Sequence, residues 1–286
     1  LIIWDEAQDI PDVHFSLIRK FQDCKHVLFG DDYQTINLWR KGMSGHFNTL
    51  DTHERLPQTY RFGQTLACFV NSFMMVMESK HIFVNTISMK GDKTKKTWLI
   101  PYHYVHTLPL CKHEHILFLV RYNKTLLQTL CVYGLHIQHT HYIDCKFTRN
   151  KTVSKQFLVN LHQLIQIKTN GRRYKYPSIW WKYSSWFYIL VDYEDEQLSE
   201  TQKEIVAIVA TRLGNMDTYI KVQQIIENND KKKPIFELST VHGKKGAEND
   251  VVMLANDFLQ SQFSVNDFEE HCIFNTAITR AKKILY

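Results

Sequence analysis

A short acidic segment near the start of the chain has the composition of a site that handles metal and water. Asp5-Glu6-Ala7-Gln8-Asp9 directly follows the apolar residues 1–4. A buried parallel strand delivers acidic side chains at its carboxyl end in this way. Two adjacent carboxylates there suit two roles, because one can hold Mg²⁺ through water while the next polarises an attacking water. Surface acidity is the alternative when this segment is taken alone.

Two arginines far apart in the sequence, Arg61 and Arg280, add groups that suit phosphoryl transfer. That reaction needs positioned cations more than covalent chemistry, and one arginine can contribute ~10³–10⁵ in rate. The separation of the two arginines suggests two lobes that close on one nucleotide. Trp39 offers a ring on which a nucleic-acid base can stack, at ~1–3 kcal/mol for each base. Core packing of Trp39 and a solvated helix face for Arg280 are the alternatives for each residue alone.

Alternating strands and helices must position these groups. The apolar patterns predict strands at residues 1–4, 25–29, 115–121, 235–241 and 250–254. They predict helices that open at residues 11–12, cover 65–77, begin near 123, cover 200–226 with an interruption at 214–215, and run from about 267 to 283. Residues 144–199 are predicted to be irregular. Strands that alternate with helices indicate an α/β protein.

Composition limits the class of protein. The chain has 286 residues and 34.0 kDa, which corresponds to about two domains, and its hydrophobic fraction of 44% is that of a folded chain. No apolar run approaches the ~18–20 residues that a membrane span needs. Six scattered cysteines indicate reduced, intracellular thiols. A net charge of +6 permits an anionic partner, although a solvated surface explains it nearly as well.

In order and spacing, five segments resemble motifs II, III, the Tyr-Arg motif, V and VI of the UvrD/Rep type of superfamily 1 DNA helicases. The segments are residues 5–9, 30–40, 56–61, 240–248 and 275–281. Five motifs in order are a specific signal, and the resemblance covers nearly the whole chain, weakly between residues 144 and 199. Within the group the chain looks most like the F-box DNA helicase branch, which shares the Asp-Glu-Ala-Gln-Asp run, Arg61-Phe62-Gly63 and a strand that ends in Arg121 with Asn123.

The resemblance implies ATP and Mg²⁺ as cofactors and assigns residues to them. Asp5 would hold Mg²⁺ through water, and Glu6 would be the catalytic base. Gln34 would sense the γ-phosphate, while Arg61 and Arg280 would neutralise charge on the transferring phosphoryl group. Tyr60 would stack on the adenine, and Glu248 would reach the ribose.

The resemblance also implies single-stranded DNA and duplex junctions as partners, and no membrane. Trp39 and Arg40 would contact single-stranded DNA. Thr240, His242 and Lys245 would link DNA to the nucleotide site. Adaptor proteins could bind through upstream segments, and the F-box likeness implies a nuclear location.

Three departures from the family pattern bear on these expectations. Asn37 stands where the family usually has an aromatic residue, and Ala247 and Asn249 replace larger apolar residues beside Glu248. No Gly-x-x-x-x-Gly-Lys-[Ser/Thr] loop occurs, so the lysine and amides that cradle the β- and γ-phosphates are missing. We therefore expect a fragment of a longer enzyme, active only when an upstream Walker A segment is present.

The expected architecture is two RecA-like P-loop NTPase lobes. The first lobe is incomplete, lacks the Walker A segment and occupies residues 1–80. The second lobe starts at 81–143, carries a small accessory insertion at 144–199 and resumes at 200–286. The cluster of Trp180, Trp181 and Trp186 is interpreted as the core of the insertion, with base stacking as the alternative.

The expected function is ATP-dependent movement on single-stranded DNA, in the 3′→5′ direction that the resemblance implies, with unwinding of duplexes in repair, recombination or replication. Two alternatives remain open at this point. The chain could be a nucleic-acid-binding module without catalysis, or a degenerate helicase that serves as a scaffold.

Overall fold

A computed structural model describes residues 1–18, 20–21, 23–36, 54–80, 86–100, 115–146, 151–171, 179–180, 183, 185–194, 197–260 and 268–286. Its strands are β1 (Ile2–Trp4), β2 (His26–Leu28), β3 (Gln58–Gly63), β4 (Lys90–Asp92), β5 (Trp98–Leu99), β6 (His115–Val120), β7 (Tyr142–Lys146), β8 (Ile235–Thr240), β9 (Asn249–Leu254) and β10 (Ala281–Leu285). Its helices are α1 (Asp12–Ile18), α2 (Gln64–Ser79), α3 (Asn123–Thr140), α4 (Lys151–Asn170), α5 (Trp186–Glu194), α6 (Glu200–Ala210), α7 (Met216–Glu227), α8 (Asp257–Gln260) and α9 (Phe268–Ile278).

The chain forms two compact units, and the first contains both ends of the sequence, Leu1–Leu108 and Lys245–Tyr286. Within it β1 pairs with β2, β3 with β4, and β10 with both β5 and β9, in every case in parallel. Helix α2 buries Leu66, Val70, Met74 and Met77 at intervals of three and four residues. One face of α2 is therefore core packing, whereas Phe69 on the same helix is 39% exposed.

The second unit, Pro109–Lys244, has a parallel three-stranded arrangement in the order β6-β8-β7. Residues 116–120 of β6 are all buried, as a parallel strand covered on both faces requires. Helix α3 packs on these strands, and α7 packs on α3. Gly134 permits that close approach, because a Cβ atom there would lie 2.8 Å from Cδ1 of Ile225.

Most predicted elements are present, and the α/β class is confirmed. The predicted interruption at residues 214–215 separates α6 from α7, and the Asn215 side chain caps α7 by accepting the Thr218 N–H at 2.8 Å. No helix in the described part of the chain is both long enough and apolar enough to cross a bilayer.

Two secondary-structure predictions are wrong. Residues 144–199 are not irregular, because α4 alone covers 20 residues and buries Leu161, Leu164 and Ile165. The last helix does not reach residue 283, since α9 ends at Ile278 and β10 begins three residues later. Arg280 therefore lies in the turn between α9 and β10 and not on a helix face.

Candidate active site

The acidic segment of the first unit lies at the carboxyl end of β1. The pairing of β1 with β2 continues past the strand, because the Phe29 N–H donates to Trp4 O at 2.7 Å and the Ala7 N–H donates to Phe29 O at 2.8 Å. Residues 7–9 then form one turn of 3₁₀ helix. The side chains of Asp5 and Glu6 are exposed at this end, but β1 itself is not the buried strand that the sequence predicts, because Ile3 is 61% exposed.

The backbone of Glu6 is left-handed, with φ 53° and ψ 43°. Among the described residues it is the only one other than glycine with a positive φ. This conformation costs an L-residue ~1–2 kcal/mol, and such strain is concentrated at functional sites. The bend turns the Glu6 carboxylate towards Gln8, whose Nε2 donates to Glu6 Oε2 at 2.6 Å.

Gln8 begins a chain of hydrogen bonds, one of them from the Asp31 main chain, that connects Glu6 to Arg280. The Asp31 N–H donates to Gln8 Oε1 at 3.1 Å, and Gln34 Nε2 donates to Asp31 Oδ2 at 2.9 Å. Arg280 Nη2 then donates to Gln34 Oε1 at 2.8 Å. We call Gln8, Asp31 and Gln34 the glutamine relay. It brings segments that are 246 residues apart in sequence into one network.

Asp31 has a structural reason to be in the relay. Its Oδ1 accepts the Tyr33 N–H at 2.9 Å and so caps the 3₁₀ turn of residues 32–34. Burial raises the pKa of the Asp31 carboxyl, and the negative charge of Glu6 raises it further. The hydrogen bonds from Gln34 and Tyr33, with the charge of Arg280, only partly offset this effect.

Arg280 is 2% exposed, and its described hydrogen bonds all go to uncharged oxygens. Besides Gln34 these are Thr276 O at 2.9 Å, Ala247 O at 3.4 Å and Thr279 Oγ1 at 3.4 Å. Burial, together with the nearby positive charge of Arg61, lowers the pKa of Arg280 to about 10. The guanidinium therefore keeps its charge at neutral pH.

Helix α9 docks on the 3₁₀ turn of residues 32–34 and so fixes the position of Arg280. Asn275 Nδ2 donates to Tyr33 O at 3.0 Å. The Thr279 hydroxyl contacts Asn275 O at 2.9 Å and Thr276 O at 3.0 Å, which closes the end of the helix. The order of Asn, Thr and Arg in residues 275–280 thus places the arginine beside Gln34.

Arg61 on β3 is paired with Glu248. Its Nε donates to Glu248 Oε1 at 2.6 Å, and its Nη1 donates to Thr279 O at 3.0 Å. Lys282 Nζ lies 3.2 Å from the other oxygen of Glu248. Burial raises the pKa of the Glu248 carboxyl, but the hydrogen bonds and charges of Arg61 and Lys282 outweigh burial and hold that pKa below its ordinary value.

A cleft of about 440 Å³ opens beside these groups. Tyr60 is 75% exposed at its edge, so its ring is available to a ligand. The cleft is lined by Gln34, Gln58, Thr59, Tyr60, Arg61, Phe62, Met89, Glu248 and Thr279. Four residues that the sequence assigns to nucleotide binding or phosphate sensing therefore line one cleft.

Lys245 lies in the same unit with its ammonium turned inwards. Its side chain is 4% exposed, and Nζ lies 2.6 Å from Asp9 Oδ2 and 3.8 Å from Glu6 Oε2. Nζ also donates to Gln34 O at 2.9 Å. The ammonium thus contacts both the acidic end of β1 and the relay, and its predicted role in linking DNA to the nucleotide site stays a prediction.

Two other residues predicted to meet DNA, Thr240 and His242, belong to the second unit. Thr240 ends β8 in the second unit, where its Oγ1 accepts the Gly243 N–H at 3.2 Å, and His242 begins the following 3₁₀ turn. Trp39 and Arg40 lie outside the described residues.

The sequence interpretation gave no role to Gln8, Asp31 or Lys282, which the structure places in contact with predicted site residues. Gln8 is 1% exposed although it follows two exposed carboxylates. A buried amide needs hydrogen-bond partners, but the burial of Gln8 is a property of the fold and not of the sequence. Gln8 stands inside the acidic segment, so its place in the motif was visible but its contact was not.

The carboxylates at the strand end and the cations around the cleft are complementary to a polyanion with a divalent cation. Within the described residues, no group of three or more His, Cys, Asp or Glu side chains could hold a metal ion. That Asp5 holds a cation through water stays a prediction.

Comparison with known proteins agrees with the arrangement of the motifs. A search of curated proteins finds no match to the chain. The family model described as the UvrD-like helicase C-terminal domain matches residues 5–286, a span that includes all the groups of the network. The chain therefore belongs to the UvrD-like helicase C-terminal domain family.

Proposed function

We propose that this chain is the part of an ATP-dependent DNA helicase that holds and hydrolyses the nucleotide and grips single-stranded DNA. The observation that carries the proposal is the network in the first unit, where Glu6 is connected to Arg280 through the glutamine relay. Membership of a helicase family supports it. The combination of a base, a phosphate-sensing amide and buried cations suits phosphoryl transfer to water.

The cleft fits a nucleotide. Tyr60 stacks on the base, and Glu248 accepts a hydrogen bond from the sugar hydroxyls. Arg61 donates hydrogen bonds to Glu248 and to Thr279 O and lies where it can neutralise the phosphates. ATP bound with Mg²⁺ supplies the phosphoryl group and the divalent charge.

Asp5 and Glu6 have different roles at the end of β1: Asp5 holds the metal ion, and Glu6 is the base. Asp5 Oδ1 accepts the N–H of Glu6 at 3.0 Å, which fixes the Asp5 carboxylate so that it can hold Mg²⁺ through water. Gln8 engages Oε2 of Glu6, and we assign Oε1 to accept the proton of the attacking water. Gln34 and Arg280 stabilise the charge that develops on the phosphoryl group.

We further propose that DNA contacts come from Trp39, Arg40, Thr240 and His242. Lys245 links the bound DNA to the nucleotide site, and its contacts with Asp9 and with the Gln34 main chain suit this role. Hydrolysis requires the phosphate-binding loop of an upstream Walker A segment. Movement is 3′→5′, and Asp5-Glu6-Ala7-Gln8-Asp9 with Arg61-Phe62-Gly63 favours the F-box branch, a nuclear location and an adaptor upstream.

The test uses the longer polypeptide that carries the Walker A segment. We expect Glu6→Gln to lower DNA-stimulated ATP hydrolysis by at least ~10³-fold while single-stranded DNA binding survives, because only the proton acceptor is removed. Glu227→Gln makes the same chemical change at an exposed position of helix α7 and serves as control. Unwinding of duplexes with a 3′ or a 5′ single-stranded tail measures the direction.

Parental hydrolysis by Glu6→Gln would refute the assignment of the base. DNA binding by a parent that does not hydrolyse ATP would favour a binding module or a scaffold without catalysis.

A further inference from the structure

Two lysine–carboxylate ion pairs lie along the paired strands β9 and β10 of the first unit. Lys282 Nζ is 3.2 Å from Oε2 of Glu248, the residue directly before β9. Lys283 Nζ is 2.6 Å from Oδ2 of Asp250. The register of β10 against β9 shifts within residues 281–284, which lets adjacent lysines reach carboxylates that are two residues apart. The two pairs are alike in chemistry, but Glu248 lines the cleft, whereas the Asp250 side chain is 50% exposed at the surface.

Glu248 is held at both of its carboxylate oxygens. Arg61 Nε donates to Oε1 at 2.6 Å, and Lys282 contacts Oε2. The carboxylate therefore cannot turn without losing one of its two cations. Because each carboxylate oxygen has about two acceptor sites, each can still accept a hydrogen bond from a ligand. Two neighbouring oxygens that are fixed in this way match two neighbouring hydroxyls, which a ribose carries at its 2′ and 3′ carbons.

The backbone of Lys282 is tied to β3, the strand that carries Arg61. The Thr97 hydroxyl donates to Lys282 O at 3.0 Å and accepts the N–H of Gly63, the last residue of β3, at 2.9 Å. Thr97 is 4% exposed, so this bridge lies inside the unit. The two cations that hold Glu248 thus come from strands that a buried hydroxyl joins before any ligand arrives. Support of this kind is what a precise binding site requires.

Lys282 also sets the charge at this side of the cleft. Glu248 is a negative group in a cleft that we propose for a polyanion, and its pair with Arg61 alone would be neutral. With Lys282 one positive charge remains. Burial raises the pKa of the Glu248 carboxyl, yet Arg61 and Lys282 hold it below its ordinary value, so the group is ionised at neutral pH. A carboxylate between two cations can accept hydrogen bonds from a sugar without cancelling the charge that the phosphates need.

We propose that Lys282 is a positioning residue for sugar recognition, which holds the Glu248 carboxylate so that its two oxygens accept the two hydroxyls of a ribonucleotide. The inference rests on the proposed function for the nucleotide in the cleft. It adds a selection for ribose over sugars that lack these hydroxyls. Lys282 acts through Glu248 and not on the nucleotide itself.

The test compares the dissociation constants of ADP and of 2′,3′-dideoxy-ADP, which lacks both hydroxyls, by calorimetry on the longer polypeptide with the Walker A segment. The parent should bind ADP about tenfold to a hundredfold more tightly, because the dideoxy compound leaves a charged acceptor without its donors. Lys282→Met removes the cation but keeps a side chain of similar length, and the preference should fall to about threefold or less, since the acceptor is no longer held. Lys282→Arg keeps a cation and should keep most of the preference.

Two controls separate positioning from other effects. Lys283→Met removes the neighbouring ion pair, with Asp250, from the same two strands and should leave the preference as in the parent. In Glu248→Ala, which has no carboxylate to position, adding Lys282→Met should not change the ratio of the two dissociation constants. Because the readout is a ratio for two ligands on one protein, partial unfolding of a variant affects both ligands equally.

Equal affinity of the parent for the two nucleotides would overturn the inference. So would a parental preference in Lys282→Met, the same loss in Lys283→Met or in Lys282→Arg, or an effect of Lys282→Met that persists in Glu248→Ala. A parent that binds neither nucleotide would remove the proposed function as well. Failure of the proposed base shows differently, as normal ATP hydrolysis by Glu6→Gln in a protein that still prefers ADP.

Discussion

The two units each bury a charged side chain, Arg280 in the first and Glu237 in the second, but they neutralise it in opposite ways. Arg280 makes its described hydrogen bonds to a side-chain amide, a hydroxyl and main-chain carbonyl oxygens, all of which are uncharged. Glu237, 3% exposed on β8, is held by two full positive charges, since Nζ of Lys146 and Nζ of Lys244 each lie 2.5 Å from its Oε1. His115 lies 3.5 Å from its other oxygen.

Under the proposed function, the difference separates a charge that acts on a ligand, that of Arg280, from a charge that stabilises the fold, that of Glu237. A guanidinium surrounded by neutral acceptors is positioned and solvated by the protein, yet its field is still available to an incoming phosphate. A carboxylate between two ammonium groups has its charge cancelled locally and contributes through the cost of leaving its partners unpaired. The partners of a buried charged side chain thus indicate whether it is positioned for a ligand or for the stability of the fold.

The largest expected effect is that of Arg280→Ala on catalysis. In the polypeptide with the Walker A segment, we expect kcat for ATP to fall ~10³-fold or more, since the developing phosphoryl charge loses its buried partner. Arg280→Lys should recover little, because a lysine lacks the planar fork that reaches Gln34 and the carbonyl oxygens together. Lys283→Ala, at an exposed position of β10, is the control in the steady-state assay. Normal hydrolysis by Arg280→Ala would contradict the view that the Arg280 charge acts on the phosphoryl group.

Glu237→Ala should act on stability. We expect the free energy of unfolding, measured in urea, to fall by about 3 kcal/mol, because Lys146 and Lys244 are left close together without their counter-charge. The control is Asp250→Ala, which removes an ion pair of 2.6 Å with Lys283 on the surface. Exposed pairs contribute about 0–1 kcal/mol. Equal effects of the two variants would show that burial does not set the value of the Glu237 pairs.

Gln8→Met tests whether the glutamine relay positions Glu6. The substitution keeps the length of the side chain but removes the hydrogen bond to Glu6 and the acceptor of the Asp31 N–H. We expect kcat to fall about tenfold to a hundredfold with little change in KM for ATP, since Glu6 is misplaced but the cleft is intact. Gln223→Met, which removes an exposed hydrogen bond to Glu227, is the matched control. A change in KM alone would mean that Gln8 supports the cleft and not the base.

The smallest expected effect is the response of Glu237 to acid. Burial raises the pKa of Glu237, but the hydrogen bonds and charges of Lys146 and Lys244 outweigh burial and place that pKa below its ordinary value of 4.5. A lowered folded-state pKa contributes stability that is fully present above pH 4.5 and is lost as the pH falls through the folded-state pKa. The parent should therefore lose stability below pH 4.5 more steeply than Glu237→Gln in urea titrations at pH 7, 5, 4 and 3. Parallel curves for the two proteins would contradict the assignment.

The sequence predicts those parts of the fold that depend on local patterns. Continuous apolar runs locate β1, β2, β6 and β8 within a residue or two, and β6 and β8 are buried as such runs predict, whereas β1 and β2 are only partly buried. Helix α4 was missed because its residues are largely polar and its burial comes from packing against α6 and α7. The end of α9 was misplaced because Ala281–Leu285 joins β9 through pairing that no local pattern reveals.

The candidate site divides in the same way. The motifs predict which residue types surround the cleft, and Glu6, Gln34, Arg61, Glu248 and Arg280 are indeed neighbours in the structure. Their mutual bonds were not predictable, because the link from Gln8 to Asp31 spans 23 residues and that from Gln34 to Arg280 spans 246. Contacts of this kind depend on how the completed fold brings strand ends together.

The left-handed backbone at Glu6 has a consequence for anyone who selects variants of this protein by heat resistance alone. Glycine adopts φ 53° without steric cost, and asparagine with little, so either residue at position 6 would relax the bend after β1. A screen that does not measure turnover should therefore enrich these replacements and select more stable proteins that lack the carboxylate proposed as the general base.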